Sequence, residues 1–324
     1  MRRLTFLVLA GAMWLLLGGS YAFADNGPHV MGAGSVADGC AGCHRTHTAK
    51  SSRLQVQANL CYTCHGATGT GASTDVVSGV GYSDLSRSGT PGALRGGGFS
   101  YALIDSAGAT GQAATGSNVA GTVPVLSAGA ATTSTHSADS TPQMVWGNGA
   151  IDATGANVGT STTMRCTSCH NPHGAGTYRA LKPTPSSSLI GTSTPVSITD
   201  TATKTYTTTN YWQTEDVNAP SFVANVSAWC STCHTRYMTT ATVPATQPGR
   251  TPSGDGTYAY RHKSDGTTQG TPNCIQCHVA HGSNAAVGTF SSMVKNPDGT
   301  DAAANDSRLL RIDNRGTCQM CHNR

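Results

Sequence analysis

The chain is poor in the residues from which proteins usually build an interior. Only 6% of its 324 residues are aromatic and only 11% carry charge, against 39 glycines and long runs of serine, threonine and alanine. Such a polypeptide cannot bury an ordinary hydrophobic core for its length. Residues 67–165, taken alone, read as a low-complexity linker. No cysteine lies outside a single pentapeptide pattern. That absence excludes a disulfide framework, whose cysteines fall at varied spacings to staple long loops.

What is present is Cys-x-x-Cys-His, six times: Cys40, Cys43 and His44; Cys61, Cys64 and His65; Cys166, Cys169 and His170; Cys230, Cys233 and His234; Cys274, Cys277 and His278; Cys318, Cys321 and His322. A structural zinc site pairs Cys-x-x-Cys knuckles with no need for a histidine directly after the second cysteine. In c-type haem attachment the two thiols add across the haem vinyl groups and the following imidazole becomes the proximal iron ligand, so each residue has a task. Twelve cysteines therefore predict six covalently bound haem c groups.

Histidines match that demand. Six of the twelve are proximal, and the others are His29, His47, His136, His173, His262 and His281. Six irons offer twelve axial positions, so every haem is expected to be bis-histidine, six-coordinate and low-spin. No iron is then left open for a substrate, and no Cys-x-x-Cys-Lys variant occurs. Both features argue for an electron-transfer protein and against an enzyme of the multihaem nitrite or hydroxylamine class.

Residues 1–24 read as a signal peptide: Arg2 and Arg3, an apolar stretch from Leu4 to Leu17, then the cleavage site Ala22-Phe23-Ala24. Removal leaves a mature start at Asp25 and a formal polypeptide charge of +4 − 2 = +2. Two propionates per haem then make the holoprotein acidic, and no nucleic-acid partner is expected. The chain is expected to be exported, with an extracellular or cell-surface home and the periplasm as the alternative.

Reading cysteines and histidines alone, one phrase recurs three times: a lone histidine, a Cys-x-x-Cys-His-x-x-His element, then a plain Cys-x-x-Cys-His. The repeats cover about 25–130, 131–255 and 256–324 within a single hexahaem domain, 25–324. His47, His173 and His281 each follow a proximal histidine by three residues, which on a helical turn puts both rings on one side. Such a ring cannot reach the far face of its neighbour's haem. It must therefore ligate a different one and bring two macrocycles together. Each repeat could be self-sufficient in ligands. Alternatively, each doubled histidine serves the preceding repeat, which leaves His47 spare at one end and an iron vacant at the other, a head-to-tail interface that does not close. The expected fold is mostly irregular coil with short helices at the haem motifs and few short strands, for example around Lys204, wrapped around a continuous haem chain.

The order of motifs resembles the OmcS-type outer-membrane hexahaem cytochromes, which polymerise into conductive extracellular filaments. The resemblance rests on His29 near the mature start, Cys-Ala-Gly-Cys-His-Arg-Thr-His at 40–47 and Cys-Thr-Ser-Cys-His-Asn-Pro-His-Gly at 166–174. It extends through Trp229 before Cys230, Cys-Ile-Gln-Cys-His-Val-Ala-His at 274–281 and a motif almost at the C-terminus. It implies a homopolymer in which His47 completes the haem of His278 in the adjacent subunit, His173 that of His44 and His281 that of His170. His29, His136 and His262 would serve the plain-motif haems. It further implies periplasmic or outer-membrane electron donors and extracellular acceptors. A monomeric periplasmic electron shuttle is the alternative function.

Overall fold

A computed structural model describes His29, Cys43, His44, 47–50, Arg53, Gln55, 60–66, 72, 74–83, 91–94, 96–102, 130–148, 160–174, 176–187, 189–190, 194–199, 220–235, 274–293 and 300–310. The expected signal peptide, the strand expected around Lys204, and Cys40, His262, Cys318, Cys321 and His322 lie outside the described residues. Among the described residues, the α-helices are short and coincide with the cysteine motifs. They are α1 (Tyr62–His65), α2 (Cys166–Cys169), α3 (Pro220–Ser231) and α4 (Cys274–Cys277). The motif itself closes the turn, since the histidine amide donates to the carbonyl of the first cysteine. The distances are 2.9 Å for His65 to Cys61, 2.9 Å for His170 to Cys166, 3.1 Å for His234 to Cys230 and 2.9 Å for His278 to Cys274. Residues one helical turn apart lie on one face, so this bond gathers two thiols and an imidazole on the same side.

α3 is longer because it has an apolar face to bury. Phe222 and Val226 pack with Ile198 in a small core flanked by Tyr178, Leu181, Trp229, Cys230 and Ile275. Tyr178 meets Phe222 edge-on, with ring centres 5.2 Å apart. The Trp229 indole N–H donates to the Lys182 carbonyl at 2.7 Å, which satisfies the polar end of a mostly apolar ring. The cluster sets the fourth motif beside the third and fifth. Other buried apolar residues include Leu94, Ala102, Val145, Val279 and Val287. None of the described helices is long and apolar enough to cross a membrane.

Strands come in antiparallel pairs: β1 (Val80–Ser83) with β2 (Pro91–Ala93), β3 (Tyr101–Ala102) with β4 (Ala130–Ala131), β5 (Ser134–Thr135) with β8 (Gly282–Ser283), and β6 (Gln143–Val145) with β7 (Thr160–Thr162). The β5–β8 pair has the largest consequence. Its register sets Thr135 against Gly282, and the His136 amide then donates to the His281 carbonyl at 2.8 Å. Two histidines 145 positions apart thus become backbone neighbours. Gly97 (φ 69°) permits the approach of the 96–98 segment, because a Cβ there would sit 1.8 Å from the Gly282 carbonyl oxygen.

Candidate haem-binding sites

Within the described residues, imidazoles meet in four pairs. Ring centres are 6.1 Å apart for His29 and His65, 6.1 Å for His44 and His173, 6.1 Å for His136 and His234, and 6.4 Å for His170 and His281. Direct stacking would bring rings closer. A single metal between two imidazoles accounts for the gap: a metal–imidazole bond of about 2 Å plus roughly 1 Å from ring nitrogen to ring centre, doubled, is about 6 Å. Each pair joins a motif histidine to one outside any motif.

Hydrogen bonding fixes which nitrogen faces that gap. Nδ1 of His29 lies 2.7 Å from the Pro172 carbonyl, His44 3.2 Å from Arg53, His136 2.8 Å from Ala280, His170 2.9 Å from Arg179, His234 2.6 Å from Trp146, His278 3.0 Å from Arg308 and His281 3.1 Å from Gly97. His65 uses the Thr74 hydroxyl at 3.0 Å. A carbonyl can only accept, so Nδ1 carries the proton and Nε2 offers its lone pair. This arrangement orients and activates a metal-binding imidazole. Burial pushes His234 and His281 down to about 4, assisted by His136 and His170 respectively, and also lowers His65, His136 and His170. Neutral imidazole is the form that ligates metal.

The pairing follows the shifted order. His173 of the second repeat faces His44 of the first, and His281 of the third faces His170 of the second. Each doubled histidine also brings a carbonyl for the preceding repeat's lone histidine: Pro172, before His173, holds His29, and Ala280, before His281, holds His136. The local geometry differs from the helical turn expected from the sequence. His170 lies past the end of α2 in an extended conformation (φ −106°, ψ 146°), because the helix stops at Cys169. Asn171 then makes a turn, with its side chain donating to the Gly174 carbonyl at 2.6 Å and accepting from the His173 amide at 3.1 Å. The two rings diverge through this turn.

A second threefold device does not follow from the cysteine and histidine spacing. His44, His170 and His278 form isolated antiparallel bridges with Gln55, Leu181 and Leu310. Each bridge partner lies two residues after the arginine (Arg53, Arg179, Arg308) whose carbonyl accepts from that histidine's Nδ1. The signal was Arg-Leu-Gln, Arg-Ala-Leu and Arg-Leu-Leu, one after each doubled motif. Two copies carry consecutive left-handed residues, Arg179 and Ala180 at 53° each, and Arg308 and Leu309 at 52° and 58°.

Thiols connect the remaining neighbours. Cys166 lies beside Cys61, and Cys230 beside Cys274. Motifs two and three touch there, as do motifs four and five. Among the described residues, no group of three or more histidine, cysteine or acidic residues is assembled for a bare metal ion. His47 is placed exposed at the surface.

Residues 34–70 match the family described as the doubled CXXCH motif. That match suggests a multihaem c-type cytochrome. No curated protein and no solved structure matches the chain. The motifs indicate covalently bound haem c, and a multihaem cytochrome implies electron transfer. The site chemistry agrees: paired neutral imidazoles beside paired thiols suit a porphyrin iron held on both faces. The cysteines would hold the macrocycle, His44, His65, His170, His234 and His278 would be proximal ligands, and His29, His136, His173 and His281 would lie opposite.

Proposed function

We propose that this chain is the subunit of an extracellular cytochrome filament that carries electrons through a stacked line of six bis-histidine haems. The haems supply one-electron cycling of iron. The polypeptide attaches them, orients their imidazole ligands by contacts at Nδ1, most of them with backbone carbonyls, and holds neighbours close. Supporting the reading most directly is the handoff of ligands, in which each later repeat lends its doubled histidine to the one before. It occurs twice inside the chain, from His173 to the site of His44 and from His281 to the site of His170. Extended once more, the rule sends His47 to the site of His278 in a second copy, and the exposure of His47 leaves it available for that role. His262 then completes the haem of His322. Because the donor and the receiving site lie in opposite end repeats, the contact is heterologous and propagates without closing.

The expected donors are periplasmic or outer-membrane electron carriers. The expected acceptors lie outside the cell: metal oxides, electrodes or other cells. Negative-stain microscopy of secreted native material, together with intact mass, tests the reading. Filaments built of chains carrying the added mass of six haems are expected. A monodisperse particle with the same six haems would make the chain an electron shuttle instead.

A further inference from the structure

The contacts behind two neighbouring proximal histidines converge on one side-chain pair. His234 is held by the Trp146 carbonyl at 2.6 Å and His278 by the Arg308 carbonyl at 3.0 Å. The Arg308 guanidinium lies over the Trp146 ring, 4.1 Å from its centre. Arg308 is itself fixed from two directions: Asp306 Oδ2 pairs with its guanidinium at 2.8 Å and Asp306 Oδ1 accepts from its amide at 2.8 Å. Its neighbours are tied as well. The Leu309 amide donates to the Ser134 hydroxyl at 2.7 Å, and the Leu309 carbonyl accepts from the Val279 amide at 2.8 Å. On the other side, Asn148 donates to the Cys233 carbonyl at 2.6 Å, so the Trp146 turn grips the fourth motif twice.

We infer that Arg308 and Trp146 form a brace that sets the ring orientations of His234 and His278 together, acting as positioning residues for two adjacent haems. This rests on the reading that both histidines bind haem. The two grips reach their histidines only through backbone carbonyls, so a side-chain change can disturb ring orientation without deleting a ligand. Flat contact of guanidinium on indole is a geometry that lysine does not reproduce. The left-handed φ of 52° at Arg308 costs arginine and glutamine, both long and unbranched at Cβ, about equally, so glutamine there isolates the loss of the stack and the charge from a backbone effect.

The test uses the full-length, haem-loaded chain. In R308Q and in W146L, all haems should remain attached and low-spin. The same two low-spin signals in the oxidised paramagnetic resonance spectrum should move, while those of the other pairs stay. The double variant should move them no further than either single one, which is the signature of a shared contact. R308K keeps the charge opposite Asp306 and should give an intermediate shift. It also serves if R308Q fails to load haem. Shifts that add in the double variant, or that touch one haem only, would overturn the brace while leaving the haem reading intact. A wild-type chain without haem would remove the reading underneath and the brace with it.

Discussion

His47→Ala is expected to abolish polymerisation while leaving haem attachment complete. Attachment uses only the cysteines and proximal histidines of the motifs, and His47 belongs to neither set. Its counterparts, His173 and His281, each face a motif histidine of the preceding repeat at 6.1 Å and 6.4 Å. His47 belongs to the first of the three repeats, and it is exposed. Changes outside a metal's own ligands already cost 10- to 100-fold in affinity, so loss of a ligand across a subunit contact should weaken association by more than about 100-fold. The variant should be secreted as a monomer or short oligomer with one iron per chain partly high-spin. Size-exclusion chromatography and the optical spectrum read both. Full-length filaments with every haem low-spin would show that His47 is not the intersubunit ligand.

His281→Ala should open a different iron and keep the polymer. The His281 ring faces His170, stacks on Phe99 with centres 4.7 Å apart, and bonds through Nδ1 to the Gly97 carbonyl. Deleting it removes one axial ligand and leaves a cavity, at a cost on the order of 3 kcal/mol by analogy with large-to-small changes at buried sites. His136 should stay in place, because it is held by the Ala280 carbonyl and by the His281 backbone, both of which survive the substitution. One high-spin iron per chain, a lower thermal midpoint and intact filaments are therefore expected. Two high-spin irons would mean that the His136 site depends on the His281 ring. None would mean that His281 is not an iron ligand.

These two variants separate what was legible in the sequence from what was not. The attachment motifs are legible because thioether formation demands two thiols and an imidazole at fixed spacing, and that spacing also closes one helical turn by itself. The shifted order of ligands is half legible. Counting histidines permits two schemes, and the choice depends on contacts such as His136 with His281, made by a two-residue strand pair too short to carry a periodic signal. The arginine tripeptides after each doubled motif were readable as a repeat but have no chemistry of their own, since their carbonyls do the work and any residue has a carbonyl. The helical picture of His170 and His173 failed for a local reason: Asn171 offers its side chain to the backbone and turns the chain, which competes with helix continuation. His262 and the last motif fall outside the described residues, so their pairing stands as part of the proposal.

The most direct test of the central claim is paramagnetic resonance of the resting oxidised native protein, with haem content measured on the same sample. Parallel imidazole planes split the iron orbitals between them and give rhombic low-spin signals. Crossed planes cancel that splitting and move the largest g value upward. The ring planes cross at 20° for His29 and His65, 38° for His44 and His173, 49° for His136 and His234, and 59° for His170 and His281. Six haems per chain, no high-spin ferric iron, and low-spin signals spread from rhombic to large-g forms are expected. A persistent high-spin signal amounting to one or more irons per chain in the intact polymer would contradict it.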